Sequence, residues 1–271
     1  MHRTIALLVA AVALLPAREV VTVKGSDTMV ILVQRWAELY MKKDAGITVQ
    51  VTGGGTGTGV SALINGSTDI AMASRPLKAT ERAKLKKRNG TGGVEIRVAR
   101  DAVSVYVNGK NPVQELTLEQ LRRIYLGEIR RWSEVGGTDA PIILYSRENN
   151  SGTYVFFKDE VLEGRDFAPG ALNMPGTASV VHAVAKDPNG IGFGGAAYAK
   201  NVRTVKMKMD AASPAVLPTE KAVSEGAYPV SRSLYLYLAQ RPSGAAKRFV
   251  DWLLGAEGQK VVSAVGYFPL R

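Results

Sequence analysis

Residues 141–162 read PIILYSRENNSGTYVFFKDEVL, and this stretch indicates both the fold and a candidate site. The apolar run at 141–144 predicts a short buried strand, and the apolar residues of 154–162 recur at helical spacing. Arg147 follows the predicted strand, and the predicted helix begins in the sequence SGT at 151–153. The stretch is therefore interpreted as a strand, a polar turn and a helix.

The turn combines groups that bind oxyanions. Ser151 and Thr153 supply hydroxyls, and Gly152 allows the backbone to approach a ligand closely. The first N–H groups of a helix have no intrahelical partner and lie at the positive end of its dipole. With the guanidinium of Arg147, these groups predict a site for a tetrahedral oxyanion. An alternative remains open, in which Ser151 is an ordinary helix N-cap and Arg147 lies on the surface.

Two further predicted strands end in turns of similar composition. The alternating run at 20–23 leads into GSDT at 25–28, and the run at 47–51 leads into TGGGTGTG at 52–59. Each turn precedes apolar residues at helical spacing, so each predicts a helix start. Repeated strand–turn–helix units predict an α/β fold with a site outside the carboxyl ends of its strands.

The composition is that of a globular protein with an excess of positive charge. Of the 271 residues, 46% are hydrophobic and 22% are charged, and the formal net charge is +11. Such an excess is compatible with an anionic ligand, an anionic surface or nucleic acid. The densest basic cluster, at 84–88, alternates with apolar residues and is interpreted as a solvated helix face. Without a zinc-finger spacing or an aromatic-basic RNA-binding motif, the sequence predicts no nucleic-acid binding.

Residue types that commonly build metal and catalytic sites are scarce. The chain has no cysteine and only two histidines, His2 and His182. A disulfide framework and a thiolate metal site are therefore excluded. A histidine-based site would depend on His182 alone, and a satisfied or exposed His182 is the simpler interpretation. The glycine-rich residues 53–59 match neither the Walker loop nor the dinucleotide fingerprint, so the sequence does not predict an enzyme.

The first residues have the pattern of a secretory signal peptide. A short basic start at 1–3 precedes an unbroken apolar run at 5–15, and Pro16 and Ala17 follow. The run is short for a permanent transmembrane helix. We therefore predict a signal peptide at 1–17 and a periplasmic or secreted protein, which lacks the cysteine that a lipid anchor requires.

The rest of the chain continues the α/β pattern. Strands are predicted at 69–73, 94–107, 191–195 and 234–238, and helices at 79–89, 116–125, 177–186, 243–254 and 256–265. The span 94–107 is interpreted as one long strand or two nearly collinear strands. The segments 164–176 and 211–224 are predicted to be loops.

Several motifs, taken in order, resemble those of the periplasmic phosphate-binding proteins of Pst phosphate ABC transporters. Besides the turns above they are ASRP at 73–76, IYLGEIRRW at 124–132, GIGF at 190–193 and YPVSR at 228–232. The resemblance spans nearly the whole chain from residue 25. It implies the two-lobed type II periplasmic binding protein fold, an α/β fold in which two crossovers join lobes built of a mixed sheet flanked by helices. The implied lobes are 18–105 with 229–271, and 106–228.

The resemblance also implies a function. The protein would capture inorganic phosphate between its lobes and deliver it to a membrane ABC permease. It would act as a monomer, with no catalytic residue, cofactor or metal. Two alternatives remain open: a binding protein for another tetrahedral oxyanion, such as sulfate or molybdate, and a non-transport envelope interaction protein on the same fold.

Twelve residues lie at or beside the positions of the family's phosphate-binding motifs and are the candidate phosphate-binding residues. They are Ser26, Asp27, Thr28, Met29, Thr56, Gly57, Ser74, Arg75, Arg147, Ser151, Gly152 and Thr153. The resemblance implies that the Thr28 hydroxyl and the N–H groups of Thr28 and Met29 hold the ion. Thr56 stands where the family has a serine.

The sequence departs from the family pattern at two acidic positions. The family places an aspartate just after the serine that ends the third strand, where it accepts the proton of hydrogen phosphate. Here Arg75 follows Ser74, and an arginine cannot accept a hydrogen bond. Asp27 is the candidate replacement acceptor, although it also suits a helix N-cap. Asn149 stands where the family often has an acid.

Overall fold

The computed structural model describes residues 18–270, in which strands and helices alternate along much of the chain. The strands are β1 (Glu19–Gly25), β2 (Ile47–Thr52), β3 (Ile70–Ala73), β4 (Val94–Val107), β5 (Glu115–Thr117), β6 (Ile143–Arg147), β7 (Leu172–Met174), β8 (Gly190–Gly195), β9 (Arg203–Thr204), β10 (Lys206–Lys208) and β11 (Ser231–Leu238). The helices are α1 (Val30–Lys43), α2 (Thr56–Asn65), α3 (Ala79–Asn89), α4 (Leu118–Tyr125), α5 (Gly152–Glu160), α6 (Thr177–Lys186), α7 (Glu220–Ser224), α8 (Gly244–Leu254) and α9 (Ala256–Val265). The predicted signal peptide at 1–17 lies outside the described residues.

Nine of the described strands form a mixed sheet that places two sets of parallel strand ends toward one site, and β5 and β10 form a separate parallel pair. The order is β2-β1-β3-β11-β4-β8-β6-β7, and β9 also pairs with β4. β1 pairs in parallel with β2 and β3, while β6 pairs in parallel with β7 and β8. Because helices follow β1, β2 and β6, each set presents helix starts at its carboxyl edge, where α/β proteins place ligands.

β4 is one continuous strand that connects the two lobes. Residues 94–102 of β4 pair antiparallel with β11, whereas Val103 to Val107 pair antiparallel with β8. The strand therefore changes partner between Ala102 and Val103. Of the two alternatives left open for 94–107, one long strand is the correct one. The domain bounds of 18–105 with 229–271, and 106–228, stay a prediction.

Each lobe has its own apolar core. In the first lobe, Trp36 of α1 is buried, and its indole Nε1 donates to Gly258 O at 2.8 Å. In the second lobe, the rings of Phe157 and Phe193 stack with centroids 3.9 Å apart, and Tyr125 packs edge-on against both. Buried aromatic side chains thus fix α1 and α5, two of the three helices whose starts carry predicted site residues.

Most predicted elements are confirmed, and the misses are short. α3, α6 and α9 have the predicted bounds, and α4 begins after its N-cap Thr117, whose Oγ1 accepts from Gln120 N at 3.0 Å. The loop predictions for 164–176 and 211–224 are partly wrong, because they contain β7 and α7. β7 has three residues and α7 has five, too few to show a period of their own. Across residues 18–270, no helix has the length and apolar character needed to cross a membrane.

Candidate functional site

The polar turns of the first lobe meet where β1 and β3 end. Gly25 ends β1 with φ +145°, and a Cβ atom there would overlap the carbonyl oxygen of Met72. Only glycine therefore lets this turn pass so close to β3. The turn brings Ser26 Oγ to 2.9 Å from Ser74 Oγ, to which it donates. The Ser74 N–H donates to Thr56 Oγ1 at 3.2 Å, so hydroxyls from three strand ends form one buried cluster.

The turn before α1 uses one predicted ligand donor internally. A single 3-10 turn, Asp27–Met29, precedes the helix, and the Met29 N–H donates to Ser26 O at 2.9 Å. The Thr28 hydroxyl points to the second lobe instead, where its Oγ1 lies 2.9 Å from Thr153 Oγ1. Thr28 therefore joins the two helix starts through its side chain.

The helix start of the second lobe combines a capping serine with a buried arginine. Ser151 is the N-cap of α5, and its Oγ accepts from the N–H groups of Thr153 and Tyr154 at 3.1 and 3.3 Å. The N-cap interpretation of Ser151 is thus confirmed. The other part of that alternative, in which Arg147 lies on the surface, is wrong, because the Arg147 side chain at the end of β6 is only 1% exposed.

Arg147 is held by residues from both lobes. Its Nη2 donates to Asp27 Oδ2 at 2.7 Å across the cleft, and its Nη1 donates to Thr177 Oγ1 at 2.9 Å within its own lobe. Burial lowers the pKa of Arg147, and the adjacent Asp27 carboxylate opposes this shift. Asp27 Oδ1 also accepts from the Gly54 N–H at 2.8 Å. Asp27 therefore acts as a bridge between the lobes and does not cap the helix.

Further contacts close the cleft beside this ion pair. Asn150 O accepts from the Gly57 N–H at 2.9 Å, and Asn150 Nδ2 donates to Gly54 O at 3.1 Å. Gly152 packs directly on the hydroxyl cluster of the first lobe, since an added Cβ would overlap Thr56 Oγ1 and lie 2.6 Å from Ser74 Oγ. The predicted residues from the two lobes are thus in contact in this structure.

Arg75 is the predicted residue that is not joined to this group. Its Nη2 donates to Glu81 Oε1 at 2.7 Å, and its Nη1 donates to Glu81 Oε2 and to Pro76 O, both at 2.8 Å. Burial acts to raise the pKa of Glu81, but hydrogen bonds from Arg75 and the Lys78 backbone outweigh it and lower that pKa. The two terminal nitrogens of Arg75 are therefore committed to the start of α3. Its Nε is buried and has no hydrogen-bond partner among residues 18–270.

The sequence analysis did not predict two charged residues that lie in the site. Arg232 of β11 donates through Nη2 to Thr153 Oγ1 at 3.0 Å, to Thr28 Oγ1 at 3.3 Å and to Asp101 Oδ2 at 2.8 Å. Both Arg232 and Asp101 are buried. The sequence does place one charged residue within each of two largely apolar strands, β4 and β11. Because a charged side chain is rarely buried unless it is paired, this pattern could have indicated an ion pair between them.

Other side-chain chemistry is sparse around the cleft. Within residues 18–270, no group of three or more His, Asp or Glu side chains is arranged to hold a metal ion. His182, predicted to be satisfied or exposed, lies exposed on α6. The candidate site therefore consists of hydroxyls, backbone N–H groups at helix starts, two arginines and two aspartates.

Comparison with known proteins gives the class first. Residues 11–257 match the family model described as the PBP superfamily domain. A solved structure from Clostridium perfringens, described as a phosphate ABC transporter substrate-binding protein with bound phosphate, superposes with a TM-score of 0.85 and 28% identity, covering 93% of this chain and 100% of that one. A phosphate transport receptor from Vibrio cholerae superposes with a TM-score of 0.73 and 28% identity, covering 92% and 99%. The chain is a two-lobed member of the PBP superfamily.

Curated relatives narrow this class to one family. The phosphate-binding protein PstS of Pseudomonas aeruginosa is 32% identical over 263 residues, which cover 91% of this chain and 81% of the relative. The PstS protein of Staphylococcus saprophyticus is 36% identical over 236 residues, which cover 84% and 73%. The chain belongs to the PstS family of phosphate-binding proteins.

Proposed function

We propose that this protein binds inorganic phosphate between its lobes and delivers it to an ABC permease. The observation that carries the proposal is the buried contact of Thr28 with Thr153, beside the ion pair of Arg147 with Asp27, at the carboxyl ends of strands from both lobes. Hydroxyls, helix starts and a guanidinium are the groups that hold a tetrahedral oxyanion. Relatives in the PstS family are named for phosphate binding, which is the same chemistry.

The proposed ligands come from four turns that the fold brings together. They are Ser26, Asp27, Thr28, Thr56, Ser74, Ser151, Gly152, Thr153 and Arg147. Met29 and Gly57 lie in the same turns, but their N–H groups donate to Ser26 O and Asn150 O. We leave Arg75 outside this set because its terminal nitrogens are bonded to Glu81 and Pro76. Each hydrogen bond to a charged ligand contributes about 1.5–3 kcal/mol. Several such bonds are sufficient for micromolar or tighter binding after the cost of ordering the lobes.

Discrimination against sulfate requires a hydrogen-bond acceptor, because hydrogen phosphate carries a proton and sulfate does not. Arginines have no acceptor atom, whereas each ionised carboxylate oxygen has more than one acceptor position. Asp27 is our proposed acceptor. Its Oδ2 receives one hydrogen bond from Arg147, and its Oδ1 receives one from the Gly54 N–H, which leaves further lone pairs on both oxygens.

The transport role follows from burial of the ion. Ligand contacts shared between Thr28 of one lobe and Thr153 of the other favour the closed arrangement, and the closed form is the one that docks on the permease. We propose that the protein is an extracytoplasmic monomer, periplasmic or secreted, that catalyses no reaction and binds no nucleic acid. The predicted signal peptide at 1–17 supports export.

The test is calorimetric titration of the mature protein, stripped of bound anion, with phosphate and then sulfate at pH 6 and pH 8.5. We expect tight phosphate binding and no sulfate binding at either pH. Comparable binding of both ions would replace the phosphate proposal with a general oxyanion site. Absence of anion binding would favour an envelope interaction protein on the same fold, and turnover of a phosphate ester would contradict the non-enzymatic assignment.

A further inference from the structure

β4, the strand that connects the lobes, and its neighbour β11 carry a directly facing pair of opposite charges. Arg232 of β11 and Asp101 of β4 are partners in the antiparallel register. Asp101 Oδ2 accepts from Arg232 Nε at 3.1 Å and from Nη2 at 2.8 Å, and both side chains are at most 3% exposed. This buried pair therefore lies where the lobes are joined.

Arg232 also contacts two threonine hydroxyls of the candidate site. Its Nη2 donates to Thr153 Oγ1 at 3.0 Å and to Thr28 Oγ1 at 3.3 Å. Its other terminal nitrogen, Nη1, is buried and has no hydrogen-bond partner among residues 18–270. A buried guanidinium donor without a partner is uncommon, and its place beside two hydroxyls that converge on the site indicates a ligand.

We propose that Arg232 is a direct ligand of the bound oxyanion and that Asp101 is its positioning residue. This inference rests on the proposed phosphate-binding function and adds a second arginine to that site. A guanidinium presents several N–H donors in a fixed plane, so Nη1 can bind an oxygen of the ion while Nε and Nη2 remain on Asp101.

The surroundings of Asp101 keep this arginine in one orientation. Gly195 of β8 lies against the carboxylate, because an added Cβ would be 3.0 Å from Asp101 Oδ1. On the other side, the Phe156 ring covers the guanidinium, with Arg232 Cζ 5.2 Å from the ring centroid. The pair is electrically neutral as a unit, so Arg232 supplies directed donors without an uncompensated buried charge.

The position of the pair links ligand contact to lobe closure. Arg232 contacts Thr28 of the first lobe and Thr153 of the second, and it faces Asp101 beside the point where β4 changes partner. An ion bound to Arg232 is thus held against both lobes at the crossover. Arg232 therefore stabilises both the bound ion and the closed arrangement of the lobes.

The primary test is phosphate titration of Arg232→Gln beside the wild type. Loss of a charged hydrogen-bond donor predicts phosphate binding weaker by roughly 10-fold to 100-fold. Arg122→Gln is the matched control, because Arg122 of α4 is also largely buried and ion-paired, to Glu119 and Glu163, away from the cleft. We expect the control to bind phosphate within about twofold of the wild type.

A double-mutant cycle tests the role of Asp101. Asp101→Asn is expected to weaken phosphate binding in the wild type but to change it by less than about twofold in Arg232→Gln, because it acts through that arginine. Equal effects in both backgrounds would overturn the positioning role. The double variant leaves no unpaired buried charge, so it serves as the folded comparison if Arg232→Gln alone is unstable. It must still bind at least tenfold more weakly than the wild type.

The outcomes separate this inference from the proposed function. If the wild type binds phosphate and Arg232→Gln binds it equally well, Arg232 is not a ligand and the phosphate function stands. If the wild type binds no phosphate, the proposed function fails first, and the inference fails with it.

Discussion

Arg75 and Arg232 are both more than nine-tenths buried, and each is paired with a carboxylate, but they differ in what the pair connects. Arg75 bonds to Glu81, six residues along the chain, within the first lobe. Arg232 bonds to Asp101, 131 residues away, and also to a threonine hydroxyl of each lobe. Proximity to a strand end in the sequence therefore does not identify which arginine reaches the cleft.

The two pairs also differ in what they stabilise. Glu81 accepts from Arg75 and from the Lys78 N–H at 2.7 Å, so that pair organises the first turn of α3. Contacts across the cleft, such as the pair of Arg147 with Asp27, exist only when the lobes are together. We therefore expect substitutions at cross-cleft contacts to change anion affinity and substitutions within a lobe to change the free energy of unfolding. Four variants test this division.

The largest loss of affinity is expected for Arg147→Ala. The change removes a proposed ligand and leaves Asp27 without its cross-cleft partner. Truncating one member of a buried charge pair predicts a loss of about 2–5 kcal/mol in binding, or roughly 30-fold to several thousandfold in Kd. Calorimetric titration with phosphate measures the loss. Affinity equal to that of the wild type would remove Arg147 from the site.

Gly152→Ala is expected to have the next largest effect. The added methyl group would overlap Thr56 Oγ1 and crowd Ser74 Oγ, both in the opposite lobe. Overpacking of this kind costs about 1–3 kcal/mol, so phosphate affinity should fall roughly 5-fold to 100-fold. Gly109→Ala is the control, because an added Cβ there meets no atom within 4 Å. A loss of the same size in both variants would contradict the steric explanation.

Asn150→Ala should produce a smaller loss. It removes the hydrogen bond from Asn150 Nδ2 to Gly54 O and a longer one, at 3.4 Å, to Thr58 Oγ1, but it retains the one from the Gly57 N–H to Asn150 O. A single neutral hydrogen bond is worth about 0.5–1.5 kcal/mol, which corresponds to roughly a twofold to tenfold weaker Kd. A thermal unfolding measurement without phosphate should show little change, because this bond joins the lobes. A large drop in the unfolding temperature would instead place the contact among the lobe-stabilising ones.

Local sequence was sufficient for the elements that carry the site. The strand, polar turn and helix predicted around Arg147 are β6, a turn and α5, and the arginine lies at the end of the strand as expected. The turns that contain Thr28 and Thr153 were also predicted from the sequence. These predictions succeed because caps and strand ends are set by residues close in the chain.

The residues that sequence reasoning misplaced depend on distant contacts. Asp101 and Arg232 face each other only because β4 and β11 pair in a particular register, which no local pattern specifies. The sequence around Asp27 suits a helix N-cap, but in the structure its carboxylate pairs with Arg147 of the second lobe. Arg75 was predicted to be a ligand, but Glu81, only six residues further along the chain, pairs with it instead. Local chemistry thus identified the types of group present, and tertiary pairing decided their partners.

The smallest effect on affinity, none beyond about twofold, is expected for Arg75→Gln. This arginine bonds to Glu81 and Pro76, so its loss should leave phosphate binding intact. It should nevertheless reduce the free energy of unfolding at pH 7 by about 1–3 kcal/mol. Because the pKa of Glu81 is lowered in the folded protein, this stabilisation is present above the ordinary glutamate value of 4.5 and is lost as the pH falls through the folded value.

Urea unfolding of wild type and Arg75→Gln between pH 3 and pH 7 therefore tests both sides of the division. The difference in unfolding free energy between the two proteins should shrink as Glu81 becomes protonated, because a neutral carboxyl no longer attracts the guanidinium. If Arg75→Gln binds phosphate more weakly without this loss of stability, Arg75 is a ligand in the cleft and the proposed division is wrong. A constant stability difference across the pH range would show that Arg75 stabilises the lobe by packing, since only the ion pair depends on the charge of Glu81.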